Sequence, residues 1–190
     1  QLLERLWGEH IHLGYYGKPA KKKDFRAAKV DFVHHLVRWG GLDKLPKGSR
    51  VLDVGCGIGG SARILAKDYG LDVLGITISP IQVKRAKSLT PKHLGCDFQI
   101  MDALKLDFPQ GSFDAVWSVE VGPHIPDKQH FADELLRVLR PGGLLVVADW
   151  NQRDSSEKGM NFLETFVMRQ LLNQWAHPEF ASINGFRRNI

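Results

Sequence analysis

The sequence predicts an α/β fold in which a mostly parallel β-sheet is covered by helices on both faces. From Arg50 onward, short apolar runs alternate with helical patterns, as in repeated β-α-β units. The predicted strands are nearly continuous apolar runs, for example at residues 144–148, as strands are when both sheet faces are buried. Gly70 and the Pro141-Gly142-Gly143 run mark the points where predicted helices end.

Five strands and their connecting helices follow in order. The strands are predicted at residues 51–54, 72–77, 97–101, 113–118 and 144–148. The connecting helices are predicted at residues 60–69, 79–88 and 128–139, with further helices at 25–39 and 161–175. We therefore predict a helical segment at residues 1–49 and one core domain at residues 50–190.

The composition is that of an ordinary globular domain. Of the 190 residues, 43% are hydrophobic and 25% are charged with both signs interspersed, which argues against a disordered or fibrous protein. The net charge of +5 fits either a weakly basic solvated surface or a patch, gathered at residues 18–23, that meets lipid headgroups or an acidic ligand. Without an apolar membrane span or a signal sequence at the start, we expect a cytoplasmic protein that contacts membranes only peripherally and does not bind nucleic acid.

No metal site is predicted. Cys56 and Cys96 are far apart in the chain and form no C-x-x-C pair. We therefore expect two small buried thiols rather than a disulfide framework or a zinc site.

The most informative segment is the turn between the first strand and its helix, VLDVGCGIGG at residues 51–60. It contains Asp53 followed by Gly55, Gly57 and Gly59. Glycine permits positive φ and close approach of a ligand to the backbone, and a helix start offers free N–H groups. The turn therefore predicts a nucleotide-like ligand. A tight turn without a ligand is the alternative, and nicotinamide and flavin domains use a related glycine pattern.

The spacing G-x-G-x-G-G, with Asp53 two residues before the first glycine, resembles motif I of class I S-adenosylmethionine-dependent methyltransferases, which have a Rossmann-like fold. The resemblance implies S-adenosyl-L-methionine as cofactor, with Asp53 at its amino-acid end. Thr77 stands where many relatives carry an acidic residue, as in the subgroup with sterol and tocopherol methyltransferases. That subgroup implies cofactor contacts for Thr77, Ile78 and Gln82, although Gln82 could also be an exposed helix residue.

Two later segments resemble the parts of the family's site that hold the adenine and the methyl acceptor. After the third strand, Asp102 can accept a hydrogen bond from the adenine amino group and the Ala103 backbone can donate one. After the fourth strand comes SVEVGPHIPD, where acceptors lie in this fold. There His124 is the first candidate for a general base and Glu120 the second. Glu120 could instead contact the cofactor, and His124 could merely line the pocket.

Over about residues 7–186 the nearest resemblance is to the 2-methyl-6-phytyl- and 2-methyl-6-solanesyl-1,4-benzoquinol methyltransferases of tocopherol and plastoquinone synthesis. It rests on WGEHIHLGYYG, VGPHIPDK and VVADWNQRD, with Pro123 where γ-tocopherol methyltransferases usually have glutamate. It implies C-methylation of a prenylated benzoquinol ring, with peripheral contact to a photosynthetic membrane. γ-Tocopherol, a sterol or another small molecule are alternative substrates. A nicotinamide oxidoreductase and an inactive cofactor-binding protein are alternative classes.

The same resemblance assigns residues 7–17, here called the lid, to a segment that folds over cofactor and acceptor. Tyr16 is carried over as a cofactor contact, and a merely packed helix and turn is the alternative. The late helix could line a channel for the prenyl tail, although helical core spacing explains the same apolar side chains: Phe162, Phe166, Met168, Leu171 and Leu172.

The family's fold usually ends with two further strands, and no such pattern follows Phe186. We therefore expect a sheet that lacks these last two strands. An uncovered edge of the fifth strand would attract another chain, so we expect a homodimer or a further segment to cover it.

Overall fold

The computed structural model of the chain describes residues 2–19, 22–154, 159–175 and 177–189. Five parallel strands form one sheet in the order β3-β2-β1-β4-β5. The strands are β1 (Arg50–Val54), β2 (Asp72–Thr77), β3 (Cys96–Ile100), β4 (Phe113–Val119) and β5 (Leu139–Ala148). The predicted parallel α/β fold is therefore confirmed.

The helices begin and end at local signals that the sequence carries. They are α1 (Leu2–Trp7), α2 (Phe25–Gly40), α3 (Gly60–Tyr69), α4 (Pro80–Leu89), α5 (Lys128–Val138), α6 (Phe162–Trp175) and α7 (Ile183–Asn189). Asp24, Ser79 and Asp127 each accept hydrogen bonds from the first free amides of the helix that follows. Gly41 and Gly70 end α2 and α3 in the left-handed conformation, which glycine adopts at little cost.

Two apolar layers bury the two faces of the sheet. On one face, Val33 of α2 and Leu65 of α3 belong to the same buried cluster as Val51 of β1. On the other face, Phe131 of α5 belongs to a cluster with Leu52, the next residue of β1. Successive residues of a strand point to opposite faces, so helices cover both sides of the sheet as predicted. The division of the chain at residue 49 stays a prediction, although α2 packs into the core.

The start of β5 differs from the prediction. The helix was expected to reach residue 139 and the strand to begin at 144, whereas α5 ends at Val138 and β5 begins at Leu139. The register moves from Phe113↔Leu139 to Ala115↔Leu144, so residues 140–143 form a bulge in which Gly142 has a positive φ. The predicted turn is therefore present, but as an irregularity within the strand.

Among the described residues, β5 pairs only with β4. The homodimer or additional segment expected at its outer edge stays a prediction. No helix in the part of the chain that the structure describes has both the length and the apolar character needed to cross a membrane.

Candidate functional site

A cavity of about 480 Å³ lies at the carboxyl ends of the central strands, bounded by the glycine turn, the lid and the segments that follow β2, β3 and β4. The carboxyl ends of parallel strands share one edge of a sheet, which is where ligands bind in such folds. The structure brings all but two of the predicted site residues to this cavity: Asp53, Gly55, Gly57, Thr77, Ile78, Gln82, Asp102, Ala103, Glu120 and His124.

Other segments of the chain pack closely against the glycine turn, so side chains on its glycines would be crowded. Gly55 and Gly57 have φ values of 73° and 55°, in the left-handed region that favours glycine. A Cβ atom on Gly60 would lie 2.4 Å from the carbonyl oxygen of Glu9 in the lid. Behind the turn, the thiol of Cys56 is buried, and this burial raises its pKa far above the usual value. The loop thus offers a ligand main-chain atoms and little side chain.

Gly59 and Tyr16 are not among the residues that line the cavity, so their predicted cofactor contacts stay predictions. Gly59 has φ 82° and caps α3, and a Cβ there would lie 2.4 Å from Cζ of Phe98. Its glycine is explained by that packing. Tyr16 is 38% exposed. The backbone of its neighbour Tyr15 is hydrogen-bonded to Ala28 of α2, which places this end of the lid along the helix rather than over the cavity.

Asp53 is buried at the carboxyl end of β1 and lines the cavity. Its Oδ2 atom has no hydrogen-bond partner among the described residues. Burial raises the pKa of its carboxyl group to about 7, and a hydrogen bond from the Ala62 amide opposes the shift only in part. A buried carboxylate with an unused oxygen is suited to a cationic hydrogen-bond donor on a ligand.

The end of β2 is held in one conformation by its own side chains. The Thr77 hydroxyl donates to Oε1 of Gln82 at 2.7 Å and accepts from the Ser79 amide at 3.3 Å. After β3, Oδ1 of Asp102 likewise accepts from the Leu104 amide at 2.9 Å. Side-chain hydrogen bonds therefore hold both turns, the one after β2 and the one after β3, where they line the cavity. Ile78 lies at the rim and is 72% exposed.

Hydrogen bonds to distant parts of the chain hold the lid beside the cavity. Lys29 of α2 is only 4% exposed, and its Nζ atom donates to the carbonyl oxygens of Trp7 at 2.8 Å and His10 at 2.9 Å. From the opposite side, Oε1 of Glu120 accepts from the Leu13 amide at 3.0 Å. These contacts join the lid to α2 and to the end of β4.

The lid contributes two histidines that the predicted set of site residues leaves out. Both His10 and His12 line the cavity, with 3.2 Å between Nδ1 of His10 and Nε2 of His12. Ser61 Oγ of α3 lies 3.5 Å from the same His12 atom. Burial lowers the pKa of His12 and, with the nearby positive charges, that of His10 to about 3. Both rings are therefore neutral at pH 7 and act as hydrogen-bonding groups without charge.

Residues 120–125, here called the acceptor turn, contribute to the cavity wall next to the glycine turn, because a Cβ atom on Gly55 would lie 2.2 Å from Cγ2 of Val121. Glu120 has φ 56°, which is uncommon outside glycine and indicates a constrained backbone. His124 ends a short 3₁₀ turn, and its ring centroid lies 4.5 Å from that of His177. Burial lowers the pKa of His124, and His177 and Lys128 lower it further. A neutral imidazole that can accept a proton thus lines the cavity.

The family described as methyltransferase domain matches residues 52–147, half of the chain. The chain belongs to this methyltransferase-domain family. It is 65% identical over 189 residues, 100% of the chain and 59% of the relative, to 2-methyl-6-phytyl-1,4-hydroquinone methyltransferase of Synechocystis sp.. It is 35% identical to the chloroplastic tocopherol O-methyltransferase of Arabidopsis thaliana, over 97% of the chain and 57% of the relative.

The fold of the methyltransferase domain is also that of solved methyltransferases. A sarcosine dimethylglycine methyltransferase structure from Galdieria sulphuraria superposes with a TM-score of 0.85 and 24% identity, over 99% of this chain and 70% of that one. The predicted family and Rossmann-like class I fold are thus confirmed. The chain spans somewhat more than half the length of the curated relatives it matches.

S-adenosyl-L-methionine is the cofactor of this family, and the cavity of the methyltransferase domain fits it. The unpartnered Oδ2 atom of Asp53 suits the ammonium group of the cofactor's amino-acid end. Beside Asp53, the glycine turn presents main-chain atoms to the cavity. A side chain at Gly57 would be crowded, because its Cβ atom would lie 3.3 Å from Cδ1 of Ile11. No group of three or more metal-ligating side chains occurs among residues whose positions the structure describes.

Proposed function

We propose that the methyltransferase domain transfers a methyl group from S-adenosylmethionine to a ring carbon of a prenylated benzoquinol. The observation that carries this proposal is the 65% identity to the Synechocystis 2-methyl-6-phytyl-1,4-hydroquinone methyltransferase across the whole chain. The cavity supports it, because most of the expected cofactor residues and a neutral histidine line the same space. γ-Tocopherol is the second substrate to compare, since tocopherol O-methyltransferases match at lower identity.

Each side of the cavity would hold one part of the cofactor. Asp53 would bind the ammonium group, and the linked pair Thr77 and Gln82 would face the ribose. Asp102 and the Ala103 amide would bind the adenine, as expected from their place after β3. When bound, the cofactor supplies a methyl group on a positively charged sulfur, which is already a strong electrophile. The protein therefore has to align the acceptor with that methyl group and exclude water.

His124 is the residue we assign as general base. It accepts the phenolic proton while the ortho ring carbon forms its bond to the methyl group and the carbon–sulfur bond breaks. The ring then loses its C–H proton and becomes aromatic again, and the protonated His124 returns its proton to the phenolic oxygen. One proton is therefore released for each methyl group transferred. Because burial lowers the pKa of His124, the ring is in its proton-accepting form at neutral pH.

The full chain should be assayed with radiolabelled S-adenosylmethionine and a prenylated benzoquinol, beside γ-tocopherol and a sterol. We expect label on the benzoquinol ring, and we expect His124→Ala to reduce turnover by roughly 10²–10⁴-fold without weakening binding of S-adenosylhomocysteine. Binding of S-adenosylhomocysteine without labelling of any prenylquinol would refute the proposed substrate and favour an inactive cofactor-binding protein. Label only on γ-tocopherol would select the alternative substrate.

We also propose that the protein meets a membrane peripherally through α6. Four large apolar side chains of this helix are more than half exposed: Phe162, Leu163, Phe166 and Val167. The channel predicted for the prenyl tail is not enclosed by α6 in this structure, because these side chains face solvent. A substrate with a long prenyl tail resides in lipid, so an apolar helix face beside the domain would bring the protein to it.

A further inference from the structure

The acceptor turn is supported by a residue of the neighbouring strand. Asp149 directly follows β5, and its two carboxylate oxygens accept from the Gly122 amide at 3.1 and 3.2 Å. The Val121 amide is also near enough to this carboxylate to lower its pKa. Backbone amides of the acceptor turn thus face one carboxylate, an arrangement that suits a negative charge.

Gly122 fits closely against that carboxylate. A Cβ atom at this position would lie 2.1 Å from Oδ2 of Asp149, far closer than any real contact. Gly122 is not among the glycines with positive φ, so its backbone conformation is open to other residues. The space beside Asp149, rather than the backbone conformation, is what requires glycine here.

We infer that Asp149 is a positioning residue of the methyl-transfer site: its carboxylate holds the acceptor turn, and through it His124, at the cavity. Asp149 is not among the residues that line the cavity, so it acts through the turn and not on the substrate. Its effect on turnover rests on the proposed function, whereas its effect on the turn does not.

The environment of Asp149 makes this support depend on pH. Burial is the main cause that raises the pKa of its carboxyl group to about 6, and the nearby charge of Glu120 adds to it. The two backbone amides and the charge of Lys128 on α5 act in the opposite direction. Above pH 6 the carboxylate accepts from the Gly122 amide. Below it the group gains a proton, loses charge, and holds the turn less firmly.

The first experiment compares Asp149→Asn with Asp127→Asn in the full chain. Asp127 caps α5 beside the same turn, and asparagine is an equally good cap, so this control makes the same change of charge without touching the Gly122 amide. In the wild type, kcat should fall as the pH drops through about 6, because Asp149 becomes protonated. We expect Asp149→Asn to lower kcat about 10- to 100-fold at pH 7.5 and to abolish this fall. The Kd of S-adenosylhomocysteine should stay within about twofold of the wild-type value. Unchanged kcat and an unchanged pH profile would overturn the inference.

A readout without turnover separates this inference from the proposed function. In the wild type, the Gly122 amide should be protected from hydrogen exchange at pH 7.5, and its NMR shift should titrate near pH 6. In Asp149→Asn the titration should be lost and the protection reduced, because the amide oxygen accepts without a charge, and both properties should be kept in Asp127→Asn. If no prenylquinol is methylated but these amide properties are observed, the proposed function fails and the support of the turn stands. Equal exchange in all three proteins would refute the support itself.

A double-mutant cycle tests the contact directly. Gly122→Ala should lower Tm in the wild type, because its Cβ meets the carboxylate, and should lower it much less when Asp149 is alanine. A comparable loss in both backgrounds would mean that glycine is needed for another reason and would contradict the inference.

Discussion

Asp53 combines two demands that oppose each other. A ligand with an ammonium group needs it ionised, whereas burial favours its neutral form and raises its pKa to about 7. The same carboxyl group is therefore expected to weaken the unliganded fold and to strengthen cofactor binding. Such opposition is common at binding sites, where residues are selected for the ligand and not for stability.

Replacing Asp53 with asparagine should stabilise the unliganded protein at pH 8. With its pKa raised from 3.8 to about 7, Asp53 contributes stability that is full below about pH 4 and is lost as the pH rises through 7. Asp53→Asn removes that loss, so the free energy of unfolding at pH 8 should rise by on the order of 2–4 kcal/mol. Urea unfolding at pH 5 and pH 8 measures it, with exposed Asp107→Asn as control. The gain should be clearly smaller at pH 5, and an equal gain at both pH values would contradict the assignment.

The same substitution should remove a pH dependence of binding. Wild-type affinity for S-adenosylhomocysteine should rise between pH 6 and pH 8, because the Asp53 carboxylate must ionise to accept from the ammonium group. In Asp53→Asn the affinity should be about 10- to 100-fold lower at pH 8 and nearly constant over this range. Isothermal titration calorimetry tests it. A flat profile in the wild type would show that Asp53 does not bind the ammonium group.

At the scale of elements, the lid is an irregular segment that depends on distant partners. Lys29 lies 19 residues beyond His10, and Glu120 lies 107 residues beyond Leu13. The lid is joined to the core by a few charged hydrogen bonds rather than by a regular ladder. A segment of this kind is expected to open at a low free-energy cost compared with the sheet.

Lys29→Met should loosen the lid. The substitution leaves the carbonyl oxygens of Trp7 and His10 without their donor, a loss of about 1.5–3 kcal/mol for charged hydrogen bonds. S-adenosylhomocysteine should dissociate about tenfold faster, and hydrogen exchange should increase at residues 9–13. Stopped-flow dissociation and exchange mass spectrometry test this, with exposed Lys67→Met on α3 as control. Equal rates in Lys29→Met and the wild type would mean that the lid does not cover the ligand.

Features that depend on neighbouring residues could be predicted from the sequence, whereas features that depend on distant contacts could not. The strands, the helix caps and the glycine turn depend on residues within a few positions, so their residue types indicate them directly. The roles of Lys29, His10 and Asp149 depend on contacts across the fold and leave no local signal. The start of β5 was misplaced because Pro141-Gly142-Gly143 indicates a turn but not whether pairing resumes before it.

At the scale of the whole molecule, the charge and the apolar surface favour the same kind of partner. The chain carries a net charge of +5, and α6 exposes large apolar side chains. An anionic lipid surface attracts the positive charge, and its apolar interior can accommodate the exposed apolar side chains. The two features together support the proposed peripheral contact with a lipid surface.

Phe162→Ser combined with Phe166→Ser should weaken binding to anionic lipid vesicles. Both side chains are more than half exposed, so the loss should be several-fold while Tm changes little. Vesicle co-sedimentation measures it, and Gln170→Ser with Asn173→Ser makes a matched change on the same helix. Unaltered sedimentation of the phenylalanine variant would remove α6 from the membrane contact.

The buried thiol of Cys56 in the glycine turn can be used to measure opening of the site. With the pKa of this thiol raised by burial, a disulfide reagent should modify it only when the lid swings away, so the labelling rate in a Cys96→Ser background should measure how often the site opens. Under the proposed function, the spent cofactor would leave through the same opening. A turnover number that equals this rate would identify departure of the spent cofactor, and not methyl transfer, as the slow step.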